Sequence, residues 1–355
     1  MSEMESRKIQ KVGHSTLTIS LPSEWVKDAR LQQGDTVFCN FEKDGSLKIM
    51  PSGVARRRTA KEVRGFVVDS DMCDEGGMLE RIVVGNYVLG RDTIIITSSK
   101  RISSANMAEI RNATQRLIGL GMTEETPNRI VLQCSIDPSK FPIYTLMKRL
   151  YTITCTMHEE AVEALMELDA TLAKEVINRE EEADRIYWLI VRLLLSAQQD
   201  DKVAAKIGIE EPLEIIGNRL VANHLEKIAD YAENIATNVI ALEKSGDKIK
   251  KPVLEAMASI SRSAADACNK AMECVFTRDV KLANAAIKAK EYVEVEEEKL
   301  MNALPEQVSD AYVATHLRAI SWGLRRIAEY GAGIAEIAIN RALEKPSRLC
   351  GASTK

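Results

Sequence analysis

The sequence predicts a mainly α protein: tandem three-helix bundles preceded by a small β domain and a short α/β segment. Three observations predict it. His224-Leu-Glu-Lys-Ile-Ala-Asp-Tyr-Ala-Glu-Asn-Ile-Ala236 returns a hundred residues later as Gly323-Leu-Arg-Arg-Ile-Ala-Glu-Tyr-Gly-Ala-Gly-Ile-Ala335, and Leu172-Ala-Lys-Glu-Val-Ile177 returns as Leu282-Ala-Asn-Ala-Ala-Ile287. Repetition of this period marks a duplicated supersecondary unit. Apolar residues keep helical spacing from about Ile143 to Leu343. The first fifty residues instead alternate polar and apolar and are punctuated by Pro22, Gly34, Gly45 and Pro51.

Taken in order, Thr16 to Leu21 reads as a half-buried strand that stops at Pro22, and Ser23 to Arg30 as a short helix. Thr36 to Phe41 and Ser46 to Met50 read as strands, with Asp44-Gly45 at a hairpin turn. About 45 residues of short strands bury little core and expose their edges, so this part is expected to dimerise. Arg7, Lys8 and Lys11 flank the first strand, and Arg56, Arg57 and Arg58 follow the last. Residues 7–64 hold 12 Lys+Arg against 6 Asp+Glu. Basic side chains on a dimeric β face neutralise phosphates, although the same set also serves plain solubility. His14, in the turn before the strand, is either a phosphate contact or a turn residue without function.

Lys8-Ile-Gln-Lys-Val-Gly13, Leu17-Thr-Ile-Ser-Leu-Pro22, Trp25-Val26, Leu31, Gly34-Asp35 and Leu47-Lys-Ile-Met-Pro51 together resemble a SpoVT-AbrB domain. The resemblance implies an intertwined, swapped-hairpin β dimer that binds DNA with its basic face. Arg7, Lys8, Lys11, His14 and Arg56 to Arg58 are then the expected DNA-facing residues.

After a basic link over residues 56–64, Glu80 to Leu89 reads as a helix, Asp92 to Thr97 as a strand, Ser103 to Gly119 as a helix and Arg129 to Cys134 as a strand. This is a small strand–helix–strand crossover. Gly85, Gly90, Gly119 and Gly121 match neither GxxxxGK nor GxGxxG, so no phosphate-cradling loop is predicted.

Beyond Ile143, breaks near Ala170, Gly208–Pro212, Gly246–Pro252, Asp279 and Pro305 divide the chain into six helices, two sets of three. The expected domains are 1–53, 54–140 and 141–345, the last split at about 141–245 and 250–345. At about 100° per residue, Glu226, Asp230 and Glu233 form one stripe roughly opposite the apolar face of Leu225, Ile228, Ala232, Ile235, Ala236 and Val239. Glu180 and Asp184 stand four apart on the neighbouring helix. Two such pairs bring four carboxylates to one exposed surface, where a hard divalent cation (Mg, Mn, Fe or Ca) relieves their repulsion. The competing interpretation is an ordinary solvated charge stripe.

Leu225-Glu226-Lys-Ile228-Ala-Asp230-Tyr-Ala-Glu233-Asn234-Ile235-Ala236 resembles the signature helix of PhoU phosphate-uptake regulators. The resemblance, over about residues 145–343, implies tandem three-helix bundles that bind metal through Glu/Asp-x-x-x-Asp motifs. It also implies negative regulation of phosphate uptake through a transporter ATPase subunit or a sensor kinase. The second repeat departs from the pattern: Arg325 and Glu329 stand where the first has Glu226 and Asp230, and Gly333 replaces Asn234. Arg325 is expected to lie against the acidic stripe Glu291, Glu294 and Glu298 in place of a cation. The metal set is therefore Glu180, Asp184, Glu226 and Asp230, in the first repeat alone.

Composition narrows the alternatives. No apolar run reaches the ~20 residues of a membrane span, the N-terminus lacks a signal-peptide core, and seven scattered cysteines form no CxxC pair. Reduced thiols and a cytoplasmic location are expected. His158, His224 and His316 lack the Glu-x-x-His of di-iron bundles, and no nucleophile–base pair stands out. These readings add up to a phosphate-responsive, DNA-binding regulator with no enzymatic role. Two rivals remain, an adaptor whose front domain only dimerises and a metal-dependent enzyme using the carboxylates.

Overall fold

Short strands at the N-terminus and long helices behind them divide the chain into two units, residues 1–64 and 65–355. The computed structural model describes residues 6–41, 45–52, 65–246, 249–344, 346 and 350–351. Arg56, Arg57, Arg58 and the Asp44 of the expected hairpin turn lie outside the described residues.

In the N-terminal unit, β1 (Gln10–Val12) pairs antiparallel with β2 (Thr16–Thr18), Lys11 opposite Leu17. Helix α1 (Ser23–Asp28) follows Pro22, and β3 (Val37–Phe41) pairs antiparallel with β4 (Leu47–Pro51). Gly13 turns the first hairpin with φ +70°, a conformation that costs glycine nothing. None of the described residues of this unit is buried. Ile9, Leu17, Phe38 and Phe41 stand exposed, Phe41 at 85%.

The second unit opens with a four-stranded sheet, order β5 (Phe66–Asp69), β6 (Thr93–Thr97), β8 (Arg129–Cys134), β7 (Leu120–Thr126), covered by α2 (Met78–Val88) and α3 (Ser104–Arg116). The crossover sits one element earlier than expected. β5 and β6 are parallel across α2, whereas β6 and β8 are antiparallel. The reason is the hairpin β7–β8, which reverses the chain before β8 reaches β6.

Six long helices follow: α4 (Ile143–Glu167), α5 (Ala170–Gln199), α7 (Pro212–Ser245), α8 (Lys251–Thr277), α9 (Val280–Gln307) and α10 (Ala311–Leu343), with the short α6 (Asp201–Ile207) after α5. Helices α4, α5 and α7 pack as one bundle, α8, α9 and α10 as the other, and one continuous core joins them. The duplication extends to the turns. Leu168 and Arg278 both adopt positive φ, and the next residue, Asp169 or Asp279, accepts a hydrogen bond from Thr171 N at 2.7 Å or Lys281 N at 2.8 Å. Each aspartate satisfies backbone donors that a helix start otherwise leaves orphaned. Pro305 lies inside the last turns of α9, so the helix ends two residues later than the proline suggested.

Candidate functional site

The acidic seam of the first bundle is built by α5 and α7. Glu180, Asp184, Glu226 and Asp230 meet there, with Glu233 as a fifth carboxylate within their mutual field. The expectation of an open, solvent-facing stripe fails. Asp184 is only 7% exposed and the Glu226 side chain 12%. At Asp184 the cause is the α/β segment, whose helices α2 and α3 pack on α5. From α3, Arg116 Nη2 donates to Asp184 Oδ2 at 2.5 Å and Nη1 donates to Glu80 Oε1 at 3.1 Å. On α7, Lys227 Nζ donates to Asp230 Oδ2 at 2.7 Å and stands 3.2 Å from Glu226 Oε2. That approach lacks hydrogen-bond geometry, so the buried Oε2 keeps an ion-pair neighbour but no donor.

Crowding shows in the proton affinities. Burial, reinforced by Asp184, Glu233 and Asp230, pushes Glu180 from the usual 4.5 up to about 7. Glu226 and Glu233 move the same way, burial first and the Asp230 charge second. Burial opposes the charge of Lys227, but its pairs with Asp230 and Glu226 outweigh that and hold it protonated. Between pH 4.5 and about 7 the folded chain therefore keeps a proton on Glu180 that the unfolded chain has released. Stability is expected to fall as pH rises through that window. Because the group is half-exposed, the change is about 1 kcal/mol rather than the full linkage value. Urea midpoints at pH 5 and pH 7.5 check it, and Glu180→Gln is expected to flatten the difference.

The second bundle carries an internally neutralised copy of this seam. Arg325 reaches Glu294 at 3.2 Å, Glu297 at 3.6 Å and Glu329 at 3.1 Å. Lys290 pairs with Glu294 at 2.8 Å, and Arg326 pairs with Glu329. Arg325 thus lies against the acidic stripe as expected. Its partners are Glu294 and the buried Glu297, not Glu291 or Glu298, because the sequence register leaves a choice among five glutamates that only packing makes. In the aligned turns Lys290 stands where the first repeat has Glu180, and Arg325 where it has Glu226.

An oxygen-only donor set with an undonated buried carboxylate oxygen suits a hard divalent cation. In the arrangement observed, Arg116 holds Asp184 and Lys227 holds both Asp230 and Glu226, and among the described residues no three His, Cys, Asp or Glu side chains are gathered as ligands. Glu180, Asp184, Glu226 and Asp230, the set expected from the sequence to hold a metal, share the seam with these two cations. Arg116, Glu80 and Lys227 were missed by sequence reasoning. Lys227 was visible as the residue between two acids, whereas Arg116 lies 68 residues from its partner.

The three helical histidines each face a neighbour within the bundles. His158 is fully enclosed and faces Ser261 Oγ at 3.0 Å, and burial pushes it down to about 4. His224 lies against Tyr330 with the rings tilted by 44°, and His316 Nδ1 meets Asn238 Oδ1 at 2.7 Å. At the other end of the chain, Lys8, Lys11 and His14 are exposed on or beside the first hairpin, and Arg7 precedes it.

Residues 147–239, spanning α4, α5 and α7, match the family model of the PhoU domain. Over these residues the chain is similar to the PhoU domain. The match covers the acidic seam and, given the internal repeat, one of two such bundles. Residues 10–57 match the model described as antidote-toxin recognition MazE, bacterial antitoxin, over the same stretch that resembles a SpoVT-AbrB domain. Solved structures similar to the chain include PhoU from Pseudomonas aeruginosa, 18% identical with a TM-score of 0.47, covering 56% of this chain and 93% of that one. Another is the phosphate transport system regulatory protein PhoU from Streptococcus pneumoniae, 17% identical with a TM-score of 0.48, covering 56% and 91%. No curated protein matches at the same stringency. No helix among the described residues is long and apolar enough to cross a membrane.

Proposed function

We propose that this protein is a phosphate-responsive regulator that binds DNA as a homodimer and receives its signal through the PhoU domain. The observation that carries the reading is the match to a PhoU domain and to a MazE-type domain on one chain. An N-terminal unit with no buried residue among those described and several exposed apolar side chains supports dimerisation, since isolated two-stranded hairpins are marginal in water. Its exposed lysines supply phosphate contacts. The PhoU domain contributes the acidic seam, which takes a divalent cation by displacing Lys227 and Arg116. The sign of the regulation is negative: phosphate sufficiency lowers the expression of phosphate-uptake genes.

Binding to promoter DNA of phosphate-transport genes tests this, measured by fluorescence anisotropy over a salt series. Affinity is expected to fall steeply with salt, and Lys11→Glu to weaken binding and reduce the log–log slope by about 0.9 for each phosphate it leaves unneutralised. A second reading, an adaptor that docks on a transporter ATPase subunit or sensor kinase without touching DNA, is favoured by the exposed Trp322 beside Arg326, residue types common at binding hot spots. It predicts no salt-dependent DNA binding, with the Lys11→Glu chain indistinguishable from the parent.

A further inference from the structure

A groove of about 510 Å³ opens between α2, the end of α3 and α5, beside the acidic seam. Its apolar side is formed by Val84, Val88 and Trp188, and its charged side by Arg81, Arg116 and the Glu80 carboxylate that Arg116 pairs with. Its size is that of a small-molecule site lined by apolar side chains and a few polar groups.

Two features distinguish it from an incidental cleft. Gly85 lies inside α2 with ordinary helical φ, and a Cβ there would meet nothing within 4 Å. Packing therefore does not demand glycine, although glycine weakens a helix interior. What its missing side chain provides is an approach to the helix backbone for a flat group lying between Val84, Val88 and the Trp188 ring. The second feature is charge. Arg81 donates to the Gly76 carbonyl at 3.1 Å and forms no ion pair among the described residues. Arg116 is shared between Glu80 and Asp184 and keeps nearly half of its side chain exposed. The helix start at Gly77 is not the anion site, because Glu109 already accepts from Gly77 N and Glu80 N.

We infer that this groove binds a small phosphorylated ligand with a flat aromatic part, of the nucleotide class, and that the ligand's phosphate competes with Asp184 for Arg116. The ring lies over Gly85 against Trp188, and Arg81 and Arg116 take the phosphate, for which planar guanidinium donors are well matched. Withdrawal of Arg116 frees the Asp184 carboxylate toward the seam. By linkage, ligand and Asp184 weaken each other's hold on Arg116 equally. That this primes the seam for a cation rests on the proposed function; the groove and the competition do not.

Calorimetric titration of the full chain in EDTA-containing buffer, with adenosine 5′-monophosphate, adenosine and inorganic phosphate as probes, tests the inference without any metal. The monophosphate is expected to bind at least tenfold more tightly than either fragment. Arg81→Gln is expected to weaken it about tenfold. Gly85→Leu fills the groove and is expected to abolish binding while leaving the melting temperature unchanged or higher. Asp184→Asn removes the competitor and is expected to tighten the monophosphate severalfold. Failure of the monophosphate to bind, or binding that Gly85→Leu leaves intact, overturns the site. Unchanged affinity in Asp184→Asn overturns the competition.

Discussion

Glu226→Arg is expected to abolish divalent-cation binding by the full-length protein while leaving it at least as stable as the parent. The second repeat has already carried out this replacement. There Arg325, at the equivalent turn, spans Glu294, Glu297 and Glu329 and needs no ion. In the first repeat an arginine at 226 meets Asp184 and Asp230 across the same helix pair. It removes a desolvated carboxylate whose Oε2 has no hydrogen-bond donor, an arrangement that costs roughly 1–3 kcal/mol. Changes around a metal site cost ~10–100-fold in affinity even outside the ligands themselves, so removal of a ligand together with charge reversal is expected to exceed about a hundredfold. Manganese titration by calorimetry measures it. Asp230→Ala serves as the milder comparison and is expected to weaken binding strongly, whereas Glu329→Ala changes it little. If the Glu226→Arg chain binds manganese as the parent does, the seam is not a cation site.

The second large effect is mechanical. Arg192→Leu is expected to loosen the α/β segment from the helical bundles. Arg192 is 4% exposed, and its guanidinium donates to the Tyr87 carbonyl at 2.6 Å, the Arg91 carbonyl at 3.1 Å and Asp92 Oδ1 at 2.6 Å. It also lies over the Tyr87 ring, 4.9 Å from the centroid. The Tyr87 carbonyl belongs to the last turn of α2, where a helix favours a cation, and the Arg91 carbonyl to the turn that follows. Tyr87 O also accepts from Gly90 N at 3.0 Å, so the loss falls mainly on the Arg91 carbonyl and Asp92, and removing the buried guanidinium costs about 3 kcal/mol. A chain of two units does not unfold in one step, so the effect is best read locally. Hydrogen exchange is expected to accelerate on the order of a hundredfold in β6 and α2 while α8 to α10 keep their protection. A uniform acceleration along the whole chain, or none, contradicts the anchoring role.

Arg192 and Asp184 belong to one stripe. Asp184, Trp188, Arg192 and Ser196 recur at every fourth residue of α5, and all four face the α/β segment: Arg116 on Asp184, the sheet-side core on Trp188, the α2 terminus on Arg192, and Gly90 against Ser196. At Gly90 an added Cβ would sit 2.6 Å from Ser196 Oγ, and φ is +78°, so only glycine allows that approach without strain. A stripe made of an acid, a tryptophan, an arginine and a serine has no apolar periodicity, and helical phase alone consigned its acid to solvent.

The six long helices, their three-by-three grouping and the convergence of Glu180, Asp184, Glu226 and Asp230 were legible from spacing, because apolar phase and i,i+4 neighbourhood are local properties of a helix. The neutral second repeat was legible too, since aligning the two copies exposes Arg325 opposite Glu226. Strands β5 and β7 were not. Phe66–Asp69 is four residues long, and Leu120–Thr126 is an exposed edge strand of mostly polar residues, so neither carries an alternation to detect. How deeply the seam is buried, which cations guard it, and the existence of the groove beside it were decided by tertiary structure. Each depends on pairings such as Arg116 with Asp184 and Arg192 with Tyr87, between residues 68 and 105 positions apart. Dielectric surroundings, and with them the proton affinity of Glu180 and the charge state of the seam, arise only when distant elements exclude water from the same place.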